Sequence, residues 1–166
     1  MVLGNVGPIG GKTQAGAHTV ASRFKGDRLA ERIRAVAAFG DRFRVYQGDG
    51  ISYVESLADS GIEDEVFVFA DPPYIGVGNR LYAHGMGRDQ HQRLAAALRS
   101  CPSPWVLTYD AHPDVLDLYP DSTVVEFEIP HTANRQQVGT EYLIYPTHLV
   151  TPGSHPLGKG HWQAVA

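Results

Sequence analysis

The tetrapeptide Asp71-Pro72-Pro73-Tyr74 closes the apolar run Val66 to Ala70. A proline has no backbone N–H to give to a ladder, so two in succession cannot continue a central strand. Each also holds the residue before it in extended geometry. The carbonyls of Asp71 and Pro72 are therefore fixed in direction, beyond the reach of sheet pairing. Open α/β sheets bind their ligands at the carboxyl ends of strands, which is where this turn falls. It presents one carboxylate, aimed carbonyls and an aromatic ring. Those acceptors suit an amino group with two hydrogens, and the ring suits a planar base. Accepting both hydrogens draws an aromatic amine toward a tetrahedral, nucleophilic nitrogen, with no need for a strong general base. The bland alternative is a strand-ending turn with an Asp cap. The tyrosine and the hydrophobic lead-in favour the functional reading.

Other candidate sites are poorer. Gly7 to Thr13 looks like a phosphate-binding loop, but G-x-x-x-x-G-K-[ST] requires glycine where Val6 stands. The eight histidines show no H-E-x-x-H spacing, and Cys101 is the one cysteine, so neither zinc nor a disulfide is expected. Cys101, at a helix end before a proline, reads as structural.

Elements that position the turn follow from periodicity. Leu29, Ile33, Val36 and Ala37 mark a helix from Gly26 to Gly40. Arg42 to Gln47 alternates polar and apolar as a half-buried strand, and Ile51 to Leu57 is a short helix. Glu65 to Ala70 reads as a central strand buried on both faces. Asp89 to Arg99 is a helix with His91, Leu94, Ala95 and Leu98 on one side. Trp105 to Tyr109 is a buried strand, Pro113 to Leu118 a helix with Pro in its first turn, and Thr123 to Ile129 and Glu141 to Tyr145 are strands. The alternation implies an α/β fold with parallel strands in one domain.

With these residues in place, the chain resembles the N6-adenine-specific DNA methyltransferases of the DNA adenine methylase (Dam-like) family. D-P-P-Y is that class's catalytic motif. Leu81-Tyr82, DQHQRLAAAL from Asp89, WVLTYD from Trp105 and EYLIY from Glu141 resemble the order that follows it. GPIGGKTQAG through Arg23-Phe24 resembles the loop and hairpin that precede this half in phage-like and restriction-associated members. The resemblance covers residues 1–146, with 1–24 as loop and hairpin of the DNA-recognition region and 147–166 as a flexible tail. It implies a partial Rossmann-like methyltransferase sheet, mixed and mostly parallel, lacking its first strands. It implies site-specific transfer of methyl from S-adenosylmethionine to the amine of a flipped adenine in double-stranded DNA, without a metal. Asp71 and the Pro72 carbonyl would hold the amine, Pro73 would complete the catalytic motif and Tyr74 would stack on the base. Asp49 would contact the cofactor's adenine. Asn134 and Arg135 would meet the flipped nucleotide or its phosphates, and Lys12, Arg23 and Lys25 the DNA backbone.

The family's F-x-G-x-G turn, which carries the methionine end of the cofactor, has no counterpart in the sequence. The chain is accordingly expected to be truncated or one half of a split enzyme. Either the Arg42 to Gln47 strand moves beside Val66 to Ala70, or a second polypeptide supplies the missing half. A catalytically inactive remnant or DNA-binding module is the alternative. RNA-guanine and protein-glutamine methyltransferases share the tetrapeptide but lack the Tyr-Asp strand end and the EYLIY signal.

Of 166 residues 43% are hydrophobic and 19% charged, a globular composition. A net charge of −4 argues against a nucleic-acid coat but not against one local basic face. No run nears the roughly 20 apolar residues of a membrane span. The first residues lack the basic start and apolar core of a signal peptide. A cytoplasmic protein of a bacterium or phage is expected.

Overall fold

The computed structural model describes residues 13, 24–76, 85–131, 137–149 and 162–165. The chain divides at Gly48 into two compact units, Met1–Gly48 and Asp49–Ala166. In the first, α1 spans Gly26–Ala37 and a 3-10 turn spans Gly40–Arg42. The apolar residues of α1 share a stripe as their spacing requires, yet Ile33 and Val36 stay 60% and 59% exposed. The strand expected from Arg42 to Gln47 does not form. Val45 is 95% exposed there. A two-residue period specifies a strand only where a neighbouring strand supplies a ladder, and among the described residues none does.

The second unit is α/β. It contains α2 (Gly50–Ser56), β1 (Val68–Ala70), α3 (Arg88–Arg99), β2 (Trp105–Asp110), α4 (Pro113–Leu118), β3 (Ser122–His131), β4 (Gln137–Pro146) and β5 (Trp162–Ala164). The open mixed sheet has the order β1-β2-β4-β3-β5. β1 and β2 are parallel, with Val68, Phe69 and Ala70 opposite Trp105, Val106 and Leu107. The remaining pairs are antiparallel. A mostly parallel sheet was expected. The short link between β3 and β4 permits only a hairpin, since a parallel crossover needs about a dozen residues. Residues 162–164 also depart from expectation, pairing with β3 rather than forming a free tail.

The core lies mainly on one face of the sheet. Residues His91, Leu94, Ala95 and Leu98 turn one side of α3 inward at helical spacing. They meet Trp105, Leu107 and Tyr109 of β2, with Ile51 and Val54 of α2, Val115 of α4 and Ile144 of β4. Alternation sends Leu143 and Tyr145 to the other face with Val125 and Val106. Gln90 accepts a hydrogen bond from the Gly87 N–H at 2.9 Å, closing the start of α3. Among the described residues no helix is long and apolar enough to cross a membrane.

β1 is shorter and more exposed than its composition suggests. It begins at Val68, not Glu65, and it is an edge rather than a central strand. Phe67 and Phe69 are 59% and 63% exposed. An apolar run is buried on both faces only when both sides and both faces are covered.

Leu98 and Leu107, both fully buried, are each expected to cost about 2–5 kcal/mol on replacement by alanine. Ile33→Ala on exposed α1 is expected to cost less than about 1 kcal/mol. Urea unfolding of the three variants checks the contrast.

Candidate functional site

The last β1–β2 pair is Ala70 with Leu107. Asp71 therefore begins the turn one residue beyond the ladder. It falls beside Thr108, whose hydroxyl donates to Asp71 Oδ1 at 2.8 Å. Tyr74 is half-buried, its ring 6.2 Å from that of Tyr109 and tilted by 45°. After Tyr74 the backbone turns at Ile75 and Gly76. Their N–H groups donate to Asp110, Ile75 to Oδ1 at 3.1 Å and Gly76 to Oδ2 at 2.8 Å.

A cavity of about 550 Å³ opens along β1 and its carboxyl end. Asp71, Pro72, Pro73 and Asp49 all line it, with Tyr53 and Phe69 among its apolar walls. The structure thus brings Asp49 and the proline turn, separate in sequence, around one space. A smaller cavity of about 310 Å³ lies between the start of α3 and α4, lined by Arg88, His91, Asp114 and Asp117. It touches none of the Asp71–Tyr74 residues.

Asp49 has a structural duty as well. It is the N-cap of α2, its Oδ1 accepting from the Ile51 N–H at 3.0 Å. Its Oδ2 accepts from the Ser52 hydroxyl at 2.9 Å and from Arg93 at 2.8 Å. These hydrogen bonds, Ser52 first and then Arg93, hold its pKa below the usual carboxylate range. Arg93 also forks onto both oxygens of Glu55 and lowers that carboxyl too. Arg93, 44% exposed, thereby ties α3 to the α2 end that carries Asp49. Neither Arg93 nor Ser52 stood out in the sequence, because a salt bridge between two helices leaves no local spacing signal.

Beneath the turn lies His91, only 4% exposed. Its Nδ1 is 2.7 Å from the Tyr109 hydroxyl. Burial is the main force lowering the His91 pKa, against a hydrogen bond to the Met86 backbone and the charge of Asp110. Burial, then the Asp110 charge, raises the Tyr109 phenol. The ring is therefore neutral near pH 7 and the phenol keeps its proton, so Tyr109 donates and Nδ1 accepts. This pair supports the ring on which Tyr74 packs.

Of the remaining sequence candidates, Lys25 is exposed and immediately precedes α1. Lys12, Arg23, Asn134 and Arg135 lie outside the described residues. Among the described residues no cluster of three or more histidine, cysteine or acidic side chains is placed to hold a metal ion. No protein-family model and no curated protein matches the chain.

His91 gives the fold a testable pH dependence. Its pKa is lowered on folding, so the unfolded chain binds the proton more readily. The stability it contributes is complete above the ordinary value of 6.5 and is lost as pH falls below it. In His91→Phe the slope of unfolding free energy between pH 6.5 and 5 is expected to be shallower by up to about 1.4 kcal/mol per pH unit, the limit for one proton. Urea unfolding across that range measures it.

Proposed function

We propose that the chain is the catalytic part of an S-adenosylmethionine-dependent N6-adenine DNA methyltransferase. The observation that carries this reading is the shared cavity, which has Asp49 at one end and Asp71-Pro72-Pro73 at the carboxyl end of β1. A volume of about 550 Å³ is of the size that holds a nucleoside-like ligand. In this reading Asp49 and Tyr53 would hold the cofactor's adenosine, and the bound cofactor would supply the methyl group transferred at the turn. Asp71 and the Pro72 carbonyl accept the two hydrogens of the target amine, Pro73 stiffens the turn and Tyr74 meets the face of the base. When bound, the cofactor would supply an electrophilic methyl group to the amine, and its transfer would break the carbon–sulfur bond. The products are S-adenosylhomocysteine, N6-methyladenine and a proton released from the amine. Neither a covalent enzyme intermediate nor a metal takes part. The target adenine must leave the duplex to reach the turn.

The sheet, in this reading, is part of a Rossmann-like methyltransferase sheet that continues beyond β1. Among the described residues β1 is paired on one side only, and Val66 to Ala70 line the cavity. An unpaired apolar strand is a template for another strand. A second segment or polypeptide pairing there would cover Phe67 and Phe69 and complete the cofactor site. Double-stranded DNA is the other partner.

The test is titration of S-adenosylmethionine into the 15N-labelled chain. Shifts confined to the amides of Gly50, Ile51, Phe69 and Ala70 are expected, with a dissociation constant of about 1 mM, roughly 4 kcal/mol of binding. A micromolar 1:1 complex would show that the β1 edge needs no completion. Unperturbed amides at these positions would remove the cofactor from the cavity.

A further inference from the structure

We propose that Thr108 and Asp110 are positioning residues that lock both ends of the Asp71–Tyr74 turn for an amine-bearing base. This deepens the methyltransferase reading and rests on it. The two side chains leave β2 on the same face, two residues apart, while Leu107 and Tyr109 point into the core. Thr108 holds the entry to the turn through Asp71 Oδ1 at 2.8 Å. Asp110 holds its exit, its two oxygens taking the successive N–H groups of Ile75 and Gly76. Between these clamps stand two prolines with no N–H to give. The turn is thus fixed at its ends by one rigid strand and in its middle by its own rings.

The clamp has a consequence for the chemistry. A carboxylate has two oxygens and about four acceptor directions. With the Thr108 hydroxyl on Oδ1, rotation of the Asp71 carboxylate is restrained and Oδ2 remains an acceptor for a ligand. Charge-assisted bonds from N–H groups to a carboxylate are the stronger kind, which suits Asp110 to hold an otherwise exposed loop. The register also sets Asp110 opposite Glu141 on β4. A like charge directly across a pair is unfavourable, and the two donated N–H groups offset it. A Cβ at Gly76 would come within 2.6 Å of Asp110 Oδ2, so a side chain there would push the carboxylate out of the clamp. Glycine at this position therefore serves the clamp rather than an unusual backbone angle.

Two measurements on the full chain test the proposal. The first is amide hydrogen exchange. In Asp110→Ala exchange at Ile75 and Gly76 is expected to accelerate by about tenfold or more, for hydrogen bonds worth about 1.5–3 kcal/mol. Leu107 and Ile144 are expected to be unchanged. Asp110→Asn, which retains one acceptor, serves as the milder variant. Unchanged exchange at Ile75 and Gly76 in both overturns the anchoring.

The second compares affinity for a short single-stranded oligonucleotide containing one adenine with the same strand containing purine, which lacks the amine. The wild-type chain is expected to favour adenine by about tenfold, the worth of about 1.4 kcal/mol of hydrogen bonding. Thr108→Val and Asp110→Asn are expected to lose that preference with purine affinity unchanged, and Thr108→Ser to keep it. A merely structural role would lower both affinities together or neither. Retention of the preference in Thr108→Val and Asp110→Asn overturns the positioning role while leaving the methyltransferase reading intact. No preference in the wild-type chain overturns the amine reading, and the use assigned to the clamp with it.

Discussion

Three parallel residue pairs between β1 and β2 support everything proposed for this site. They bring the carboxyl end of β1 beside the middle of β2, and the turn begins where they stop. β2 is well anchored, with Trp105, Leu107 and Tyr109 almost fully buried and β4 on its other side. β1 is anchored less, with Val68 and Ala70 only partly buried against the core. It borrows its order from β2 through the ladder, and the turn borrows its order from the same strand through Thr108 and Asp110. One buried strand therefore holds both the segment that carries the acceptors and the acceptors themselves.

Supports on the other side reach the same cavity through helices. α3 is fixed to the core by His91, Leu94, Ala95 and Leu98, and Arg93 on its outer side reaches Asp49 and Glu55. The Asp49 end of the cavity and the Asp71 end thus rest on one packed layer. The His91–Tyr109 hydrogen bond adds a polar contact inside that layer, and the Tyr109 ring packs against that of Tyr74. A pair of this kind is costly unless both members are satisfied, and here each satisfies the other.

Much of this was legible in the sequence where a segment's own pattern decides its state. The inward face of α3 follows from helical spacing, and the α4 range Pro113–Leu118 from a proline where a helix begins. Asp71–Tyr74 was legible because two prolines restrict the backbone whatever surrounds them. What was not legible depends on partners far away in the chain. Among the described residues the alternation from Arg42 to Gln47 has no strand to pair with, and the apolar run at β1 has a neighbour on one side only. Thr108 and Asp110 looked like the ordinary end of a strand. Their roles arise only once the register sets them against residues some 35 positions earlier.

The central claim is that Asp71 accepts hydrogen bonds from the amine of an adenine. The most direct measurement is the NMR signal of a 15N-labelled exocyclic amine on the single adenine of a short DNA strand, titrated with the chain. This signal is expected to shift with the wild-type protein and not with Asp71→Ala. An identical shift with both proteins, or no shift with either, would contradict it.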